Sequence, residues 1–287
     1  MNTSATTLVT ACDKSYAYAA LNLVGSVQKQ SPIFKEILVY DLGMTKFQRR
    51  LFTKARGVRV LEVEHFTEYW QQCWSWKAWI WKNAPVQKML YLDSGMEVLR
   101  DLTPLVEEIN DRGYFAVSQS EKGTPHLVED IMPQDYYSAF SLDQKKIAKK
   151  DVVAAGILGF DTKMKFYNTV IIPTYDEVVA GRNLGWSKSE LGRNSGIHYM
   201  EHPIVRDCNI FRHDQTVLNA LIYKNLPDLH LHNLSKYAGY RSAQDVPDQY
   251  IWHHRKQSRL PYINHIEYTT NQGGYRLISR MARKLGL

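Results

Sequence analysis

The sequence predicts an α/β protein with a mixed, mostly parallel central sheet flanked by helices. Two observations carry this. Short apolar runs that end at acids or glycines alternate with longer amphipathic stretches from residue 7 to residue 92, and that rhythm belongs to a helix-covered parallel sheet. The 287 residues are 44% hydrophobic and 23% charged, which fits one large α/β domain or two small ones and excludes disordered, collagenous and membrane-embedded chains.

The elements follow in order. Thr7 to Ala11 reads as a short buried strand, and residues 16–30 as a helix with Ala20, Leu21, Val24 and Val27 on one face. Ile37 to Tyr40 is a second strand, closed by Asp41-Leu42-Gly43. Residues 45–56 form a polar helix stopped at Gly57, and Val58 to Val63 is a third strand. Residues 67–83 read as one aromatic helix, and Lys88 to Leu92 as a fourth strand. Beyond these, Tyr114 to Ser118 and Val152 to Phe160 are strand-like, and residues 214–225 helical. Two polar stretches, roughly 120–150 and 181–203, read as long functional loops or lids. Residues 275–285 read as a short basic amphipathic helix.

The net charge of +7 is concentrated at one end. Residues 251–287 hold seven basic residues against the single acid Glu267, a net of +6, so the first 250 residues are nearly neutral. A uniformly basic nucleic-acid binder is excluded, and no nucleic-acid partner is expected. Three widely spaced cysteines, Cys12, Cys73 and Cys208, with no CxxC pair, argue against a disulfide framework or a cysteine zinc site and fit a reducing compartment. No basic segment precedes an apolar stretch at the start, and no apolar run approaches a bilayer span. The expectation is a cytoplasmic protein, with peripheral membrane contact possible through residues 275–285.

Candidate chemistry starts at Tyr91-Leu92-Asp93-Ser94-Gly95-Met96-Glu97, where a strand runs into an acid and a glycine turn. Ligands of open α/β sheets bind at the carboxyl ends of strands, and an acid there can hold a hard cation that grips phosphate. The alternative is an Asp that merely caps a turn. A second feature is the crowding of five tryptophans, Trp70, Trp74, Trp76, Trp79 and Trp81, into one stretch. At helical spacing Trp70, Trp74, Lys77 and Trp81 share a face, and a cation on a buried face needs a partner. The third is Leu229-His230-Leu231-His232, whose alternation reads as a strand with both imidazoles on one side, either a metal pair or an ordinary surface strand. Dinucleotide, P-loop and nucleophile-elbow motifs are absent.

Four segments, in order, resemble the glycogenin-like and lipopolysaccharide galactosyltransferase-like enzymes of glycosyltransferase family 8. They are Thr10-Ala11-Cys12-Asp13-Lys14-Ser15-Tyr16; Lys88 to Gly95 continuing through Asp101-Leu102-Thr103-Pro104-Leu105; Ala154-Ala155-Gly156-Ile157-Leu158-Gly159-Phe160; and His213-Asp214-Gln215-Thr216. The resemblance implies a GT-A type nucleotide-diphospho-sugar transferase fold. It implies a catalytic domain over 1–260, with a donor half near 1–119 and an acceptor half near 120–260, and a basic extension over 261–287.

The implied activity is transfer of a sugar, with retention, from a nucleoside diphosphate, in the first instance UDP, to an acceptor hydroxyl on a glycan or glycolipid. Thr10, Ala11, Asp13 and Tyr16 would hold base and ribose. Asp93, Ser94, Gly95, His254 and Lys256 would face the diphosphate, Lys77 the donor phosphate or the Asp93 carboxylate, and Ala155 and Gly156 the sugar. Asp214 and Gln215 would be the catalytic pair, the alternative being that Asp214 is a helix N-cap.

The implied cofactor is Mn²⁺ or Mg²⁺ on Asp93 with His253 or His254. The chain departs from the family pattern here, because Gly95 stands where the second acid belongs. Lys77, Arg255, Lys256 and Arg259 could instead meet the leaving phosphate without a metal. Ala154 also replaces the family's Asn. Three competing readings remain: a non-catalytic sugar-nucleotide or glycan binder on the same fold, a nucleotidyltransferase, and a membrane- or RNA-binding protein that uses the basic end.

Overall fold

In the computed structural model, residues 5–121, 126–191, 204–240, 246–254 and 260–269 are described. The strands and helices run β1 (Thr6–Cys12), α1 (Ala17–Gln30), β2 (Ile37–Asp41), α2 (Lys46–Lys54), β3 (Val58–Glu62), α3 (Ser75–Asn83), β4 (Lys88–Leu92), β5 (Glu97–Val98), α4 (Thr103–Arg112) and β6 (Tyr114–Ser118). They continue through α5 (Val128–Ile131), α6 (Gln134–Ala139), α7 (Gln144–Ile147), β7 (Val153–Asp161), α8 (Ile172–Val179), β8 (Trp186–Ser187), α9 (Lys188–Leu191), β9 (Val205–Arg206), α10 (Asp214–Asn225), α11 (Leu234–Ala238) and β10 (Ile251–Trp252). The chain divides into two units, one of Met1–Val63, Val86–Asp111 and Ser235–Leu287, the other of Glu64–Pro85 and Arg112–Leu234.

The first unit is built on four parallel strands in the order β3-β2-β1-β4, with Leu8 paired to Ile37, Ile37 to Val58 and Thr6 to Lys88. Every residue of β1 and β4 is buried, the continuous burial expected of parallel strands covered on both faces. α2 starts at a capping box: Thr45 Oγ1 accepts from the Gln48 amide and Gln48 Oε1 accepts from the Thr45 amide. Gly57 follows α2 at φ +70°, where a Cβ would lie 2.9 Å from the Lys35 carbonyl oxygen, so only glycine fits the turn into β3. α1 packs against β5 and the short turn Ile263–His265. At that crossing a Cβ on Gly25 would come within 2.1 Å of the Tyr262 carbonyl oxygen.

The second unit pairs β6 and β7 antiparallel, with Tyr114 opposite Phe160 and Ala116 opposite Leu158. Against β7 lies α10, buried continuously from Asp214 to Tyr223, and α8 packs on both α10 and α3. A helix buried on every face shows no amphipathic stripe, and its polar members need internal partners. Asn219 finds them on the Val153 backbone, accepting from its N–H at 2.7 Å and donating to its carbonyl at 3.0 Å.

The strands are therefore mixed and mostly parallel, as expected, and several bounds differ from the sequence reading. The stretch 67–83 is not one helix: a 3₁₀ turn, Gln72–Trp74, precedes α3, and Cys73 (φ 48°) and Trp74 (φ 54°) break the two apart in the left-handed region. The expected Trp70–Trp74–Lys77–Trp81 face is lost, because Trp74 is 45% exposed at the end of the turn while Lys77 and Trp81 are buried in α3. The polar stretch 120–150 contains three short helices, α5 to α7. Leu229–His232 is not a strand: only His232 forms a bridge, to Val117, and the two imidazoles meet edge to face at 4.8 Å. The stretch 275–285 lies outside the described residues.

None of the three cysteines is in a disulfide. Among the described residues no helix is long and apolar enough to cross a membrane.

Candidate functional site

In the first unit, the carboxyl edge of the parallel strands gathers the residues that sequence proposed for the donor. β1 ends at Cys12, and Asp13 follows, its Oδ1 accepting from the Ser15 and Tyr16 amides (2.8 and 3.0 Å) to start α1. Tyr16 is left 40% exposed at that corner. β2 ends in Asp41, which accepts from the Gly43 and Met44 amides and is paired at 2.8 Å with Arg49, itself 2.8 Å from Glu62 at the end of β3. β4 runs into Asp93, whose Oδ1 accepts from the Tyr91 hydroxyl at 3.0 Å, and a turn follows in which the Met96 amide donates to the Asp93 carbonyl (3.1 Å). Asp13, Asp93 and Ser94 are half-buried, Gly95 is buried, and Thr10 and Ala11 lie inside β1.

The histidine segment reaches this edge through a strand pairing. β10 pairs antiparallel with β5, Ile251 opposite Val98 and Trp252 opposite Glu97, so His253 and His254 continue in the direction of Met96 and Gly95. His253 donates its amide to the Gly239 carbonyl and stacks on Tyr240 at 5.0 Å. His254 Nε2 lies 3.7 Å from Glu97 Oε2, with side chains 2% and 1% exposed. The same Glu97 oxygen accepts from Asn22 Nδ2 (3.1 Å), and Asn22 Oδ1 accepts from the Tyr262 amide (2.8 Å). Lys256, with Arg255 and Arg259, lies outside the described residues.

This donor set bears on a metal. Among the described residues no group of three or more His, Cys, Asp or Glu side chains is arranged to hold one. Gly95 contributes no side-chain oxygen, and His254 Nε2 faces Glu97. Asp93 at the end of β4 fits a hard cation only if phosphate and water complete its shell.

In the second unit, the starts of α3 and α10 meet. Lys77 Nζ and Asp214 Oδ2 are 3.7 Å apart, each side chain 6% exposed. Within this unit Lys77 thus faces the Asp214 carboxylate. Asp214 is the first residue of α10, and the N-cap position falls on His213, so capping does not explain the acid.

Gln215 donates Nε2 to the Val153 carbonyl (2.8 Å) and to Gln119 Oε1, which fastens it to the start of β7. Ala155 is buried in β7, and Gly156 is the one position of that strand not fully buried.

His213 is enclosed by Trp74, Trp186 and Phe211, and burial pushes its pKa down to about 4. Asn183 holds this corner together. Its Nδ2 donates to the Cys73 carbonyl (2.9 Å) and Ser75 Oγ (2.8 Å), and its own carbonyl lies 3.3 Å from His213 Nδ1. Sequence reading missed Asn22, Glu97, Asn183 and Trp186. Only Glu97 left a signal, an acid inside an otherwise apolar strand.

No family model matches the chain, and no curated protein matches it. Solved structures do. The apo structure of the WbbM bifunctional glycosyltransferase aligns with a TM-score of 0.56 at 12% identity, covering 96% of this chain and 52% of that one. This chain therefore spans about half the length of WbbM. The galactosyltransferase LgtC, in complex with donor and acceptor sugar analogs, aligns at 0.49 with 16% identity over 93% of this chain and 98% of its own. The likeness to WbbM concerns the fold, and it identifies this chain as an α/β protein of the GT-A type.

Proposed function

We propose that the chain is a glycosyltransferase that moves a sugar from a nucleoside diphosphate, UDP in the first instance, to a hydroxyl of a glycan or glycolipid. The observation that carries this reading is Asp93 at the carboxyl end of β4, in a fold shared with a bifunctional glycosyltransferase. In this reading Asp13 and Tyr16, with the backbone at Thr10 and Ala11, hold base and ribose. Asp93 with Ser94 and Gly95 faces the diphosphate.

Breaking the anomeric C–O bond leaves a doubly charged phosphate. Lys256 with Arg255 and Arg259, and Lys77 in its own unit, are the cations available to meet that charge. A divalent ion, Mn²⁺ or Mg²⁺, held by Asp93 and by His253 or His254, would add to this neutralisation when bound.

Asp214 and Gln215 are the catalytic pair. The Asp214 carboxylate stabilises the oxocarbenium-like sugar, and the Gln215 amide, fixed by Val153 and Gln119, holds it in place next to Ala155 and Gly156. Retention of configuration belongs to this reading. Residues 275–285 are proposed to contact an anionic membrane surface.

Gly95 favours a second reading, a sugar-nucleotide binder that does not turn over its ligand. A donor panel assayed for hydrolysis and transfer, with Asp93→Ala and Asp214→Ala as controls, separates the two. Turnover lost in both variants supports the enzyme, and binding without turnover in the wild type supports the binder.

A further inference from the structure

α3 begins where an L-residue backbone is under strain. Cys73 (φ 48°, ψ 35°) and Trp74 (φ 54°, ψ 26°) are consecutive left-handed residues, a conformation that glycine adopts freely and other side chains resist. The position nevertheless carries an indole, and 45% of Trp74 stays exposed, so its own burial compensates only in part. A third positive φ lies beside it: His213 (φ 53°, ψ −118°) has its ring centroid 5.0 Å from that of Trp74. Three of the four positive-φ residues other than glycine among the described residues thus gather at one corner.

The corner is firmly built. Trp186 meets the His213 ring edge-on at 4.4 Å, Phe211 does so at 5.3 Å, and Asn183 ties the Cys73 carbonyl and the His213 ring to one loop. Trp186 Nε1 and Asn183 Oδ1 are buried there without a hydrogen-bond partner. Strain and unsatisfied polar atoms held in place by surrounding packing gather where ligands bind.

The ligand's chemistry follows from what the corner presents. It offers an exposed aromatic face, and its imidazole is uncharged at neutral pH because burial lowers its pKa. Lys77 is paired with Asp214, and Arg206 lies over the Phe211 ring at 5.2 Å with Nε donating to the Leu184 carbonyl. The exposed indole face suits an uncharged ring with an apolar C–H face and hydroxyl edges.

We propose that Trp74, backed by His213 and Trp186, is a stacking platform for an uncharged pyranose of the acceptor. This rests on the glycosyltransferase reading and deepens it, since His213 directly precedes the proposed catalytic pair Asp214-Gln215.

The test uses the full chain and a panel of methyl α- and β-pyranosides (glucoside, galactoside, mannoside and N-acetylglucosaminide) in saturation-transfer NMR. Wild type, Trp74→Phe and Trp74→Gly are compared. Glycine suits the left-handed backbone, so Trp74→Gly is expected to melt no lower than wild type. At least one pyranoside should give a signal with wild type, a weaker one with Trp74→Phe and none with Trp74→Gly. Absence of signal from every pyranoside with wild type, or an undiminished signal with Trp74→Gly, overturns the platform.

Once the donor is known, the acceptor KM of Trp74→Gly should rise about tenfold, the loss of one aromatic stacking contact, with the donor KM little changed. A rise confined to the donor KM overturns the acceptor assignment. If no sugar nucleotide is used but the Trp74-dependent signal stands, the enzyme reading fails and the platform survives. If donors bind and no such signal is seen, only the platform fails.

Discussion

Lys77 Nζ and Asp214 Oδ2 face each other across 3.7 Å, inside packing that leaves each side chain 6% exposed. Two charges removed from water to that extent depend on each other, because either one alone in the interior is far costlier than the pair. Lys77→Met or Asp214→Asn should each lower stability by about 3–5 kcal/mol. The double variant should lose less than the sum of the two. Urea denaturation of the four proteins reads the coupling. Strict additivity would mean that the two charges do not act as a pair.

His213 makes the fold sensitive to acid. Burial lowers its pKa from 6.5 to about 4, so folding favours the neutral ring. Between those two values the unfolded chain binds the proton and the folded chain does not. The contribution is therefore complete above pH 6.5 and is lost as pH falls toward 4, up to about 3 kcal/mol. Melting curves of wild type and His213→Asn from pH 7 to 4 test this, with the variant expected to show the shallower decline.

Glu97 organises the histidine segment of the first unit. Its carboxylate accepts from Asn22 Nδ2 and lies 3.7 Å from His254 Nε2, and Asn22 in turn takes the Tyr262 amide. Glu97→Leu removes the acceptor of Asn22 Nδ2 and the charge beside His254, and should cost about 1–3 kcal/mol. Amide exchange at Ile251 and Trp252 should accelerate, because β10 pairs through this residue.

Gly25 marks the closest approach of α1 to the chain near Tyr262. A methyl group there would sit 2.1 Å from a backbone oxygen, so one of the two must move. Gly25→Ala should cost about 1–3 kcal/mol despite the better helix propensity of alanine. Chemical denaturation measures the difference.

The strands were legible because buried strands, parallel in the first unit and antiparallel at β6, announce themselves as unbroken apolar runs between turn residues. Lys88–Leu92 and Tyr114–Ser118 were read to the residue, and so was α10. The aromatic helix over 67–83 was misread for a physical reason. Trp70, Trp74, Lys77 and Trp81 keep helical spacing, and nothing in residue type shows that Cys73 and Trp74 turn left-handed. Helices of four to six residues such as α5 and α7 are too short to display a period, so 120–150 looked like loop.

Of the candidate residues, sequence supplied Asp93, Lys77 and Asp214 as separate suspects. It could not supply the Lys77–Asp214 pairing or the Glu97–His254 contact, because each joins segments distant along the chain.

That this chain binds a sugar nucleotide through Asp93 is tested most directly by a thermal-shift panel of nucleoside-diphosphate sugars, with and without Mn²⁺. A donor present at a hundredfold excess over its Kd stabilises the folded state by about 2.7 kcal/mol. One such donor should raise the melting temperature of wild type, and Asp93→Ala should abolish the rise. A panel in which no sugar nucleotide shifts the wild-type transition under either condition would contradict it.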